Sequence, residues 1–179
     1  MTISLETRQQ VRQRANFACE FCGIAEIDSG DQLTVDHFRP LTKGGDDELE
    51  NLIYCCPRCN QYKLAYWVEP PHQSLLWNPR IEPNSKHFLP LENGTLHPLT
   101  SVGLFTLNRL RLNRPALIAN RLRRQQTEDE IRLLARYRDL TRMIEQVVEQ
   151  QSALIEEQHV LLKEQQELLR LLIDSRRRE

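Results

Sequence analysis

The chain has 179 residues with 40% hydrophobic content, enough for a small core carrying an appendage, and it contains no apolar run long enough to cross a membrane. Charged residues follow directly on Met1-Thr2-Ile3-Ser4, so a secretory signal is not expected and the protein reads as soluble and cytoplasmic. The net charge of −1 hides a segregation that keeps a polyanionic partner open: residues 109–143 hold 10 basic and 4 acidic side chains, against 9 and 13 before them and 5 and 8 after.

In chain order, residues 5–16 show helical spacing of Leu5, Val11 and Ala15, with Ser4 as N-cap and Glu6 in the first turn. Residues 33–38 are β-prone and bounded by Ser29-Gly30-Asp31 and Pro40, which predicts a strand ending near His37. Residues 43–50 form a polar, Gly-containing loop, and 51–54 read as a second strand. Pro57 suits the first turn of a helix expected to run to about Trp67. Residues 69–99 are proline-rich and irregular, with Asn93-Gly94 as a turn, and 106–113 resume helical spacing.

Beyond Pro115 neither Gly nor Pro occurs, and apolar residues recur every seventh position. Leu140, Val147, Leu154, Leu161 and Leu168 form one line, with Val148, Ile155, Leu162 and Leu169 beside it. Tyr137, Ile144, Gln151, Gln158, Gln165 and Leu172 complete the 3-4 alternation. This predicts a long helix forming a coiled coil, either with itself or with a partner helix. The arginines at its start either contact phosphate or merely solvate it.

Four of the five cysteines form two C-x2-C pairs, Cys19/Cys22 and Cys56/Cys59, separated by 33 residues. In a reducing compartment such pairs are metal ligands rather than disulfides, and two tight bends presenting four thiolates suit a closed, structural Zn²⁺ site. Cys55 is left over as a small buried apolar residue. Inside the staple lie Val35-Asp36-His37-Phe38-Arg39-Pro40, Gly44-Gly45, Asn51 and Cys59-Asn60. Asp36 and Asn60 both offer hard oxygen, the donor type that Mg²⁺ or Mn²⁺ prefers. Strict strand alternation would turn Asp36 and His37 to opposite sides, so the strand is expected to bend or end there.

Taken in order, Asp36-His37, Asn51 and Asn60 interleaved with the cysteine pairs resemble the HNH endonucleases of the zinc-stapled, ββα-metal type. The resemblance is strong over residues 8–67. It extends loosely to Leu76-Trp77-Asn78-Pro79-Arg80 and Leu110-Arg111-Leu112-Asn113-Arg114, which are similar to a bacterial subgroup. The family's last motif letter is often His, and Asn60 here is a family alternative. The resemblance implies that His37 is the general base and that Asp36 and Asn60 share a catalytic Mg²⁺, Mn²⁺ or similar ion. It further implies that Asn51 cross-links the loop and orients His37. Imidazole suits the task because its unperturbed titration lies near cellular pH. Arg39 and Lys63 are candidate phosphate contacts. His72, His87, His97 and His159 have no such company and read as surface or packing residues.

The expected fold is therefore α+β: a zinc-stapled ββα-metal domain over residues 1–68, an accessory segment over 69–115 that packs on it, and a helical, coiled-coil arm over 116–179. The expected activity is metal-dependent hydrolysis of phosphodiester bonds, with double-stranded DNA as partner. The alternative is a zinc-containing nucleic-acid-binding module with an interaction arm that cuts nothing.

Overall fold

A computed structural model describes residues 3–30, 32–69 and 75–177, with Leu172 as backbone alone. His72 and Asp31, which figure in the expectations above, lie outside the described residues. The chain forms two compact units, Met1–Gln125 and Gln126–Glu179.

In the first unit, helix α1 (Leu5–Arg14) begins where Ser4 Oγ accepts a hydrogen bond from Thr7 N, as its N-cap chemistry predicts. A single turn, α2 (Glu26–Ser29), follows the first cysteine bend. Strand β1 (Thr34–His37) pairs antiparallel with β2 (Leu52–Cys55), setting Asp36 opposite Ile53 and His37 opposite Leu52. All four residues of β2 are buried, so this strand is the spine of the core. Helix α3 (Pro57–Lys63) opens on Pro57 at a position where a missing N–H costs nothing.

Helix α3 stops at Lys63 instead of reaching Trp67. Leu64 turns to a left-handed φ of 53°, which ends the helix and lets Tyr66 pack on Phe105 and Trp67 on Phe38. Strands β3 (Phe88–Pro90) and β4 (Leu96–Pro98) form a hairpin around Asn93-Gly94. Gly94 has φ 78°, and a Cβ there would lie 2.9 Å from Ile118 O, so the turn demands glycine on both counts.

Helix α4 is Ser101–Arg109, earlier than the expected 106–113. Thr100 Oγ1 caps it by accepting from Gly103 N, and Arg111 at φ 49° closes it off. Phe21 and Phe88 both meet Trp77 edge-on, so the segment around Trp77 seals the first cysteine bend against the hairpin.

Helix α5 (Pro115–Arg176) has 62 residues. In the second unit every side chain described is exposed. Among the described residues, no helix is long and apolar enough to cross a membrane.

Candidate active site and metal centre

The cysteine cluster comes first because it holds the rest in place. Sulfurs of Cys19, Cys22, Cys56 and Cys59 all lie within 4.8 Å of one another, with Cys22 and Cys56 3.8 Å apart. Four Zn–S bonds of about 2.3 Å in a tetrahedron place sulfurs about 3.8 Å apart, so the cluster fits Zn²⁺. Burial holds the Cys19 thiol well above its ordinary value, while hydrogen bonding from Cys19 draws Cys56 down. Four thiols this close need a cation before all can ionise. Arg114 supplies outer charge: its Nη2 lies 3.8 Å from Cys56 Sγ and 4.0 Å from Cys22 Sγ. Cys55 is fully buried beside the cluster, and burial pushes its thiol up to about 12.

Glu20, between the first two cysteines, anchors this frame to its surroundings. Its carboxylate accepts from Tyr54 N at 2.7 Å, Arg80 Nη1 at 3.1 Å and Arg14 Nη2 at 3.3 Å. Residue 80 thereby joins the first cysteine bend directly, while Trp77 N donates to Thr106 Oγ1 at 2.7 Å.

Between the cysteine pairs, β1 ends at His37 and the chain turns through Pro40. Asn51 ties this turn to the strand end with all three of its amide bonds. Its Oδ1 accepts from Arg39 N at 2.8 Å, and its Nδ2 donates to Arg39 O at 3.0 Å and Asp46 O at 2.8 Å. Gly45 makes room for this clamp, since a Cβ there would sit 1.9 Å from Arg39 O and 2.9 Å from Asn51 Nδ2. Asn51 therefore fixes the loop, and the loop in turn delivers Asp47, whose Oδ1 lies 2.7 Å from His37 Nε2. The direct side-chain partner of His37 is this carboxylate and not Asn51.

Asp36 points to α3. Its Oδ2 accepts from Lys63 Nζ at 2.8 Å, and the same ammonium donates to His37 O at 2.6 Å. Lys63, a candidate phosphate contact in the sequence, is fully buried, with its ammonium turned inward onto a carboxylate and a carbonyl. Arg39 stays at the rim, 38% exposed, with Nη2 3.0 Å from Glu69 Oε1 and its guanidinium 5.1 Å over Trp67. Asn60 stands one helical turn before Lys63 on the same face of α3, and its amide has no hydrogen-bond partner among the described residues. Among these residues the cysteine set is the one cluster of three or more His, Cys, Asp and Glu donors.

His87 is a packing residue, buried between Thr100 Oγ1 and Glu82 Oε2 at 2.6 Å each, while His97 and His159 are on the surface.

A carboxylate and a histidine thus stand side by side at the end of a strand framed by four clustered sulfurs. Residues 19–64 match the HNH endonuclease family. No curated protein and no solved structure matches the chain. The matched HNH segment runs from the first cysteine to the left-handed residue that ends α3, so it contains the complete sulfur cluster and every strand and turn around His37. HNH domains are typically nucleases, and nuclease chemistry is the general activity this match supports.

Proposed function

We propose that the protein is a metal-dependent endonuclease that hydrolyses phosphodiester bonds of double-stranded DNA, with Zn²⁺ in the sulfur cluster as a structural ion. The observation that carries this reading is His37 at the end of β1, bound through one ring nitrogen to Asp47 and next in sequence to Asp36. When Asp47 is ionised this contact requires the proton on Nε2, leaving the lone pair on Nδ1 to take a proton from water. Asn51 and Gly45 hold the loop that keeps Asp47 there, so ring orientation is set before substrate arrives.

Asp36 and Asn60 would hold a Mg²⁺ or Mn²⁺ ion, completed by water and phosphate. Both present hard oxygen, and Asp36 has a second carboxylate oxygen beyond the one that Lys63 holds. Such an ion supplies charge stabilisation for the phosphorus and the leaving oxygen. Lys63 fixes the orientation of Asp36 from below, and Arg39 at the rim is placed to meet a phosphate if it exchanges Glu69 for it.

The competing reading, a zinc-bearing nucleic-acid-binding module without catalysis, draws on one observation: Asp36 already has a buried cation as partner. Nicking of supercoiled plasmid in Mg²⁺ or Mn²⁺ decides between them. The parent protein should cut, His37→Ala should lose at least about 100-fold, and Asp47→Asn should lose about 10- to 100-fold with the fold intact. Equal cleavage by parent and His37→Ala removes His37 from the chemistry, and metal-independent cleavage removes the ion assigned to Asp36 and Asn60. DNA retention without any cutting establishes the binding module.

A further inference from the structure

The second unit carries an apolar stripe with a polar centre. Residues three and four apart on a helix share a face, so Gln151 is flanked by Val147 and Leu154 on one side and by Val148 and Ile155 on the other. Gln158 and Gln165 repeat the arrangement one and two heptads on. All these side chains are exposed. Val147, Leu154, Leu161 and Leu168 on one side and Val148, Ile155, Leu162 and Leu169 on the other are each more than half exposed, a continuous apolar face over four heptads.

We propose that a second copy of the chain covers this stripe, lying parallel and in register along residues 137–169. Burying the flanking leucines and valines takes the three glutamine amides out of water, and a buried amide needs a partner for both its carbonyl and its NH₂. In a parallel, unstaggered pair each central-line residue faces its own counterpart, so every glutamine meets a glutamine and each leucine of the adjoining line meets a leucine. An antiparallel pair sets the central line against the leucine line and leaves all three amides facing hydrocarbon. Sliding by one heptad puts Ile144 against Gln151. The glutamines thus act as register marks, at a cost in seam stability.

The inference stands independently of the nuclease reading and survives if plasmid cleavage fails. Sedimentation equilibrium of the full zinc-loaded chain at micromolar concentration should give twice the 21.1 kDa chain mass. Orientation is read by pulsed electron resonance between nitroxides on Arg142→Cys and, separately, on Arg170→Cys, after confirming that the parent chain takes up no label. Both samples should give distances below about 30 Å. Wherever an antiparallel pair crossed, at least one of the two would exceed about 40 Å at 1.5 Å rise per residue. Leu154→Asp should give monomer with unchanged tryptophan fluorescence from the first unit. A monomeric parent, a label pair beyond 40 Å, or a Leu154→Asp protein that remains dimeric each overturns the proposal.

Discussion

Lys63→Met tests the core of the site, because it removes a charge and little volume. Lys63 is fully buried and its ammonium bonds Asp36 Oδ2 at 2.8 Å and His37 O at 2.6 Å. Methionine fills the stem but strands the carboxylate and the carbonyl. Breaking a buried pair from one side costs about 3–5 kcal/mol. The Asp36 side chain is 20% exposed, so water recovers part of its loss. The net expectation is about 2–4 kcal/mol. Urea unfolding followed by the fluorescence of Trp67 and Trp77 reads this in the first unit without interference from the long helix. With a slope near 2 kcal/mol per molar, the midpoint should fall by about 1–2 M. The double variant Asp36→Leu/Lys63→Met should recover much of that, since removing both partners leaves no orphaned charge. A midpoint unchanged by Lys63→Met refutes the buried pair and returns Lys63 to the surface role.

Purified protein should contain one equivalent of zinc by elemental analysis, and Cys22→Ser/Cys56→Ser should contain none and show disordered tryptophan fluorescence, because a structural site's binding energy is folding energy. Acid stability should depend on Glu26, whose carboxyl is held below the usual range by Arg12, with both nitrogens of the fork at 2.7 Å. A depressed pKa means the stabilisation is complete above the unfolded value of about 4.3 and is lost as pH falls through the lower folded value. Glu26→Gln should therefore be less stable at pH 7 and lose less on going to pH 3; parallel pH profiles would exclude the link. Gly45→Ala should destabilise the first unit and lower cleavage together, since its Cβ would overlap Arg39 O; a neutral result would mean that the Asn51 clamp yields freely.

The parts of this architecture written in local chemistry were readable from the chain alone. Ser4, Pro57, Asn93-Gly94 and the stretch after Pro115 without Gly or Pro each mark an element by a rule that acts within a few residues, and the two helices, the turn and the long helix they mark are present. The two C-x2-C bends announced the sulfur cluster because ligand type and spacing are themselves the signal. Where tertiary packing decides, the sequence was silent. Nothing in Lys63 distinguishes an ammonium turned inward from one in solvent, and the end of α3 depends on a left-handed Leu64 that the packing of Tyr66 and Trp67 imposes. Thr100 has the side-chain chemistry of a cap for α4, but the helical spacing that marks residues 106–113 begins further along the chain. Asp47 was equally hidden: an acid after two glycines is ordinary, and only the Asn51 clamp brings it to His37. Arg114 and Glu20 act across 92 and 60 residues of chain, beyond the reach of any local pattern.

Arg114 has a consequence for anyone dissecting the protein. A zinc ion bound by four thiolates carries two net negative charges, and the guanidinium just before α5 offsets one of them. A shortened version that keeps the four sulfurs but ends before residue 114 would leave that dianion facing water or a neighbouring chain, more basic and more easily stripped of its ion by acid or chelator. Fragment design that respects the metal must therefore respect an arginine more than fifty residues downstream of the last cysteine.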